Sequence, residues 1–131
     1  MAPAVEIPTA VVDALLAHAR AEAPRECCGL LVGVPGRIRE ARRARNAAVG
    51  VTRFLVHPED HFAAIREARA SGQQVLGAYH SHPNGSPIPS PTDIERADDP
   101  AFLHVIVSSP DVRAYLIGEG RYEVVPLVVT A

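Results

Sequence analysis

The chain has 131 residues, 47% hydrophobic and 21% charged, with a formal net charge of −2. That length supports one domain with a real core, residues 1–131, and the balance excludes a disordered, collagen-like or long coiled-coil chain. The near-neutral charge gives no electrostatic reason to expect nucleic acid or a membrane surface as a partner.

Thr9 is placed to cap a first helix running to about Glu22, with Val12, Leu15, Leu16 and Ala19 as its apolar stripe and Pro24 at its end. Cys27 to Val34 is a continuous apolar run and reads as a buried strand. Cys27 and Cys28 are the only cysteines. Adjacent on a strand they point to opposite faces, so they read as small apolar side chains, with a reactive thiol as the alternative, rather than a disulfide framework or a zinc site. Pro35-Gly36 makes a turn, and Arg37 to Arg45 reads as a strand with an exposed, basic face. That patch is either a solvated face or a dock for an acidic partner.

Thr52 to Val56 reads as a short strand. Pro58 to Ser71 reads as a second helix, with Phe62, Ile65 and Ala68 inward and Gly72 as its stop. Gln74 to His80 is a strong strand, followed by a Pro-rich loop over Pro83 to Pro89. Ser90-Pro91-Thr92-Asp93 opens a short helix. Phe102 to Ser108, Val112 to Gly118 and Tyr122 to Val129 are further strands. The order describes a mixed α/β sheet with helices packed on it. No signal peptide is evident at Met1–Pro8, and no apolar run approaches the roughly 20 residues of a transmembrane helix. A soluble cytoplasmic protein is expected. Oligomeric state stays open, a homodimer included.

All 13 basic residues are Arg, so Schiff-base and Ser–Lys mechanisms are excluded and the six His become the catalytic suspects. His80 and His82 stand two apart at the end of a strand. Residues at i and i+2 point the same way, roughly 6.5–7 Å apart, so both imidazoles can reach one metal ion. Asp93, in the first turn of the next helix, is the best third ligand, because the Pro-rich loop can fold that turn back. Two His and a carboxylate leave a fourth position open, as in catalytic zinc sites. Glu26 is the best general base, since an isolated Glu beside an apolar run makes sense facing a cation. Ser90 can donate to an oxyanion. Taken singly, Ser90-x-x-Asp93 also reads as an ordinary helix start, and a His-x-His pair as a surface feature.

The run His80-Ser81-His82, seven residues, Ser90, two residues, Asp93, with an upstream Glu, resembles the JAMM (MPN+) metalloprotease motif. Arg25-Glu26-Cys27-Cys28-Gly29-Leu30-Leu31-Val32-Gly33 and Gly77-Ala78-Tyr79-His80-Ser81-His82-Pro83 are similar to its bacterial and archaeal branch. The resemblance spans about residues 5–125. It implies a cytidine-deaminase-like JAMM/MPN fold, one Zn2+ on His80, His82 and Asp93, Glu26 as general base and acid, and Ser90 as oxyanion donor. It also implies hydrolysis after the C-terminal Gly of a ubiquitin-like protein. The compact length resembles enzymes that process sulfur carriers with a Gly-Gly end, releasing cysteine. A broader isopeptidase acting on lysine-linked modifiers and a non-catalytic scaffold are the alternatives. Deamination is disfavoured: His57-Pro58-Glu59 supplies H-x-E, but no downstream P-C-x-x-C follows. His18, His57, His61 and His104 are expected on the surface or in packing.

Overall fold

The computed structural model describes residues 2–50 and 53–131. Its elements are β1 (Val5–Pro8), α1 (Thr9–Glu22), β2 (Cys28–Val34), β3 (Arg37–Ala44), α2 (Pro58–Ala70), β4 (Gln74–Ser81), α3 (Pro91–Arg96), β5 (Leu103–Ser108), β6 (Asp111–Gly118), β7 (Arg121–Val125) and β8 (Leu127–Thr130). These strands form one mixed sheet in the order β7-β6-β5-β4-β2-β3-β1-β8. Only Pro126 separates β7 from β8, yet they are its two edges. The sheet therefore curls until those edges approach.

Pro126 suits that break, because it has no N–H to offer a ladder. Its carbonyl accepts from the Val5 amide at 2.9 Å, where the chain joins β1. The single strand expected over Tyr122–Val129 is thus two strands on opposite edges. β1 itself was not expected. Its four residues gain their place from parallel pairing with the distant β8.

Helix α1 packs against β1, β3, β4 and β5 inside the curl. Ile7, Val11 and Leu15 meet Leu31, Ile38, Tyr79, Val105 and Val107 in the main core. The buried stripe is Val11, Leu15, His18 and Ala19, while the expected Val12 and Leu16 lie half-buried at its flank. Thr9 is not the cap. Pro8 holds that position, and the Thr9 hydroxyl donates to the Thr130 carbonyl at 2.9 Å, tying α1 to β8.

Helix α2 covers the other face of the sheet at β2, β3 and β4. Ala64 and Ala68 are its buried residues, small enough for a close helix–sheet approach. Phe62, expected inward, is 63% exposed, because the stripe centres on the alanines. His57 caps this helix, with Nδ1 accepting from the Glu59 amide at 3.2 Å. The short strand expected at Thr52–Val56 reduces to one bridge, Asn46 to Val56, and Thr52 lies outside the described residues.

The basic strand β3 forms as expected, and several of its cations are paired. Arg37 meets Glu6, Arg42 meets Glu67 and Arg45 beyond its end meets Asp60. That favours a solvated, charge-balanced face. Among the described residues no helix is long and apolar enough to cross a membrane.

Candidate metal centre and active site

Strand β4 lies between β2 and β5, so its last residues are flanked on both sides. The strand alternation sends Tyr79 toward α1 and His80 to the opposite face. The His82 amide donates to the Val107 carbonyl at 2.9 Å and continues the ladder one step. His82 thereby shares the face of His80. Their Nε2 atoms lie 3.0 Å apart, and Asp93 Oδ2 lies 3.2 Å from each.

Asp93 reaches that point through a capping box. The Ser90 Oγ accepts from the Asp93 amide at 3.0 Å, and Asp93 Oδ2 accepts from the Ser90 amide at 2.9 Å. Pro91 at the first helical position is preset for α3. The Pro-rich loop is held back over the strand end by three anchors. His82 Nδ1 meets the Ser86 carbonyl at 2.9 Å, the Ser108 hydroxyl donates to the Gly85 carbonyl at 2.6 Å, and the Tyr115 hydroxyl donates to the Pro87 carbonyl. The first anchor also sets the His82 tautomer: Nδ1–H faces a carbonyl, so Nε2 keeps its lone pair for the centre.

Glu26 sits just upstream of β2, not in it, and is 9% exposed. The Ser81 hydroxyl accepts from the Cys27 amide at 2.8 Å, and the Ser81 amide donates to the Cys27 carbonyl at 3.1 Å. These bonds clip Glu26 beside the two His. Its carboxylate lies with His80 and His82 in one cluster whose ligand atoms are all within 4.8 Å. This is a candidate metal-holding group among the described residues. The tighter set is the triangle of His80, His82 and Asp93, whose edges are 3.0–3.2 Å.

The electrostatics separate the two carboxyls. Burial pushes Glu26 up to about 7, with Asp93 adding to the rise and His82 opposing it. Burial would also raise Asp93, but hydrogen bonds with His80 and His82 hold it well below the usual carboxylate range. Burial pulls His80 down. For His82 burial acts downward too, yet its bonds to Asp93 and the Ser86 carbonyl carry it above the ordinary value.

Two further residues, Phe54 and Asn46, complete the site. Phe54 stacks on His80 with ring centroids 4.1 Å apart and an interplanar angle of 12°. Asn46 makes four bonds. Its Nδ2 donates to the Glu26 and Arg53 carbonyls at 3.0 and 2.9 Å, and its Oδ1 accepts from the Ala48 and Leu55 amides at 3.0 Å each. It thus brackets Phe54 and fastens that segment to Glu26. The aromatic at Phe54 was a visible cue, whereas Asn46 acts only through distant partners.

Two cavities open beside the centre. One, about 360 Å³, is lined by Leu30, Leu55, Ala78, Phe102 and His104. The other, about 390 Å³, is lined by Glu26, Arg53, His82, Pro83 and Ser90. Phe54, Asp93 and Arg96 border both.

The remaining expectations also find their places. His18 bonds the Tyr79 hydroxyl, and His104 packs edge-on to Phe102. His61 lines the first cavity. Cys27 and Cys28 are buried free thiols, both raised by burial, Cys28 to about 12. That disfavours a reactive thiolate.

The family described as prokaryotic homologs of the JAB domain matches residues 8–118. The chain belongs to that family. A desampylase of Haloferax volcanii is 36% identical over 108 residues, covering 77% of this chain and 77% of its own. The CysO-cysteine peptidase of Mycobacterium tuberculosis is 31% identical over 126 residues, covering 91% and 86%. The solution structure of a Desulfitobacterium hafniense protein matches this JAB domain with a TM-score of 0.88 at 26% identity, covering 96% and 92%. The family resemblance and the mixed α/β fold expected for a JAB domain are both borne out.

Proposed function

We propose that this JAB domain is a zinc peptidase that hydrolyses the amide bond after the C-terminal Gly of a ubiquitin-like sulfur-carrier protein and releases cysteine. The observation that carries the reading is the triangle of His80 Nε2, His82 Nε2 and Asp93 Oδ2, with Glu26 beside it. In a tetrahedral zinc site with bonds near 2.0 Å, donor atoms stand about 3.3 Å apart. The triangle's 3.0–3.2 Å edges fit that spacing, and two imidazoles with one carboxylate fit the donor preference.

His80, His82 and Asp93 would hold the ion. Bound zinc supplies Lewis acidity, lowering the pKa of water and polarising a carbonyl. Glu26 accepts a proton from the attacking water and delivers it to the leaving amine. Its place beside the centre, 9% exposed, suits both directions of that transfer. The amide C–N bond breaks, the hydroxyl of water stays on the glycyl carbon, and the freed amine carries the proton away. The Ser90 hydroxyl spends its lone pair on the Asp93 amide and keeps its hydrogen to donate to the developing oxyanion. Phe54 covers the ring of His80 and keeps water from that side.

The substrate side rests on kinship with the CysO-cysteine peptidase. The test is mass spectrometry of a Gly-Gly-tailed carrier joined either to cysteine or, through an isopeptide bond, to a protein lysine. Release of cysteine is expected. Cleavage of the lysine-linked form alone would transfer the assignment to isopeptidase, and cleavage of neither would leave a scaffold.

A further inference from the structure

We infer that Arg53 is the specificity residue that receives the α-carboxylate of a leaving amino acid. This deepens the cysteine-release reading and rests on it. The first step concerns which cavity holds the leaving group. Glu26 must deliver its proton to the departing amine, so that amine sits on the Glu26 side. Of the two cavities beside the centre, only the second includes Glu26. A third cavity also touches Glu26, but neither His82, Ser90 nor Asp93 lines it, so it does not open on the centre. The leaving group therefore occupies the second cavity, and the Gly-Gly tail takes the first.

The second step concerns charge. On the carbon next to the scissile nitrogen a cysteine carries an α-carboxylate and a thiol side chain, whereas a lysine-linked protein carries neither there, and the carboxylate is the charged difference. That anion would enter a cavity already holding the carboxylates of Glu26 and Asp93. Away from the metal centre it needs a fixed cation, and two arginines line the cavity, Arg53 and Arg96. Arg96 borders both cavities and donates through one terminal nitrogen to the Phe54 carbonyl at 3.0 Å. Arg53 borders only the leaving-group cavity and is exposed.

The third step concerns placement. Asn46 Nδ2 bonds both the Glu26 carbonyl and the Arg53 carbonyl, so their backbones are neighbours by construction. The proton donor and the carboxylate receptor are held by one amide group. A guanidinium presents a planar fork that matches a carboxylate, which an ammonium does not.

The experiment compares two substrates on the metal-loaded enzyme: a Gly-Gly-tailed ubiquitin-like carrier joined to cysteine, and the same carrier joined to cysteinamide. The wild-type kcat/KM is expected to favour the free carboxylate by at least about tenfold, mainly through KM, as for loss of one charge-assisted bidentate contact. In Arg53→Ala that ratio falls close to unity, and Arg53→Lys recovers part of it. L-Serine, a product mimic without a thiol, should inhibit wild type more strongly than Arg53→Ala. A wild-type ratio near unity, or an unchanged ratio in Arg53→Ala, would overturn the assignment and leave the peptidase reading standing. Arg53 would then only offset Glu26, lowering both substrates together. Failure to cleave either cysteine substrate, with a lysine-linked conjugate cleaved, would overturn the cysteine-release reading and this assignment with it.

Discussion

His18 and His80 are buried almost equally, 3% and 2% exposed, on opposite faces of β4. On the α1 face, His18 Nδ1 meets the Tyr79 hydroxyl at 2.7 Å, and the pair is complete. Gly29 makes this possible, since a side chain there would collide with the Tyr79 ring. On the other face, His80 Nε2 meets a second imidazole nitrogen at 3.0 Å and a carboxylate oxygen at 3.2 Å. Three electron-rich atoms converge there, and no single proton satisfies them all. Burial alone does not mark a functional histidine. Convergence of acceptors does, and the two faces of one strand show both cases.

That contrast can be broken by mutation. The largest effect after loss of the proposed metal ligands is expected for Glu26→Gln. It keeps shape and metal but cannot take a proton, so kcat should fall about 10²–10⁴-fold with metal content intact. Rate measurements beside metal analysis check this. Ser90→Ala should follow, with a loss of about 10²–10³-fold in kcat for one oxyanion donor. It also removes the α3 cap, so a drop in stability of about 1 kcal/mol should accompany it in denaturant titration. Asn46→Ala touches no substrate. By loosening Glu26 and the Phe54 segment it should lower kcat by up to about 10²-fold, again with metal retained.

The smallest catalytic effect belongs to the α1 face. His18→Phe should leave turnover and metal content close to wild type, yet cost about 1–3 kcal/mol by stranding the buried Tyr79 hydroxyl. Its pH dependence has a definite sign. Burial and Arg43 lower the folded His18 value. Below about pH 6.5 the unfolded chain takes up a proton that the folded chain refuses, so His18 destabilises the fold increasingly as pH falls toward its folded value. The stability gap between wild type and His18→Phe should therefore narrow from pH 8 to pH 5. A constant gap in thermal melts would contradict a neutral, buried His18.

Much of this was legible in the sequence because it is local. The His-x-His spacing, the Ser90 to Asp93 helix start and the β2 and β4 apolar runs each depend on a few neighbouring residues. What escaped is non-local. β1 is a strand because β8 returns 122 residues later to pair Val5 with Leu127. Pro126 could be seen to disrupt a ladder, but not to carry the chain between sheet edges. Asn46 shows no periodicity at all, and its role exists only once Glu26, Arg53 and Leu55 are brought together. Phe62 misled because its size suggested burial, whereas α2 approaches the sheet through alanines.

Metal content tests the central claim most directly. Gently purified wild-type protein should hold about one zinc per chain by elemental analysis, Glu26→Gln the same, His80→Ala almost none, and His18→Phe the wild-type amount. No zinc in the wild type, or full zinc in His80→Ala, would contradict the assignment of His80, His82 and Asp93 as the metal centre.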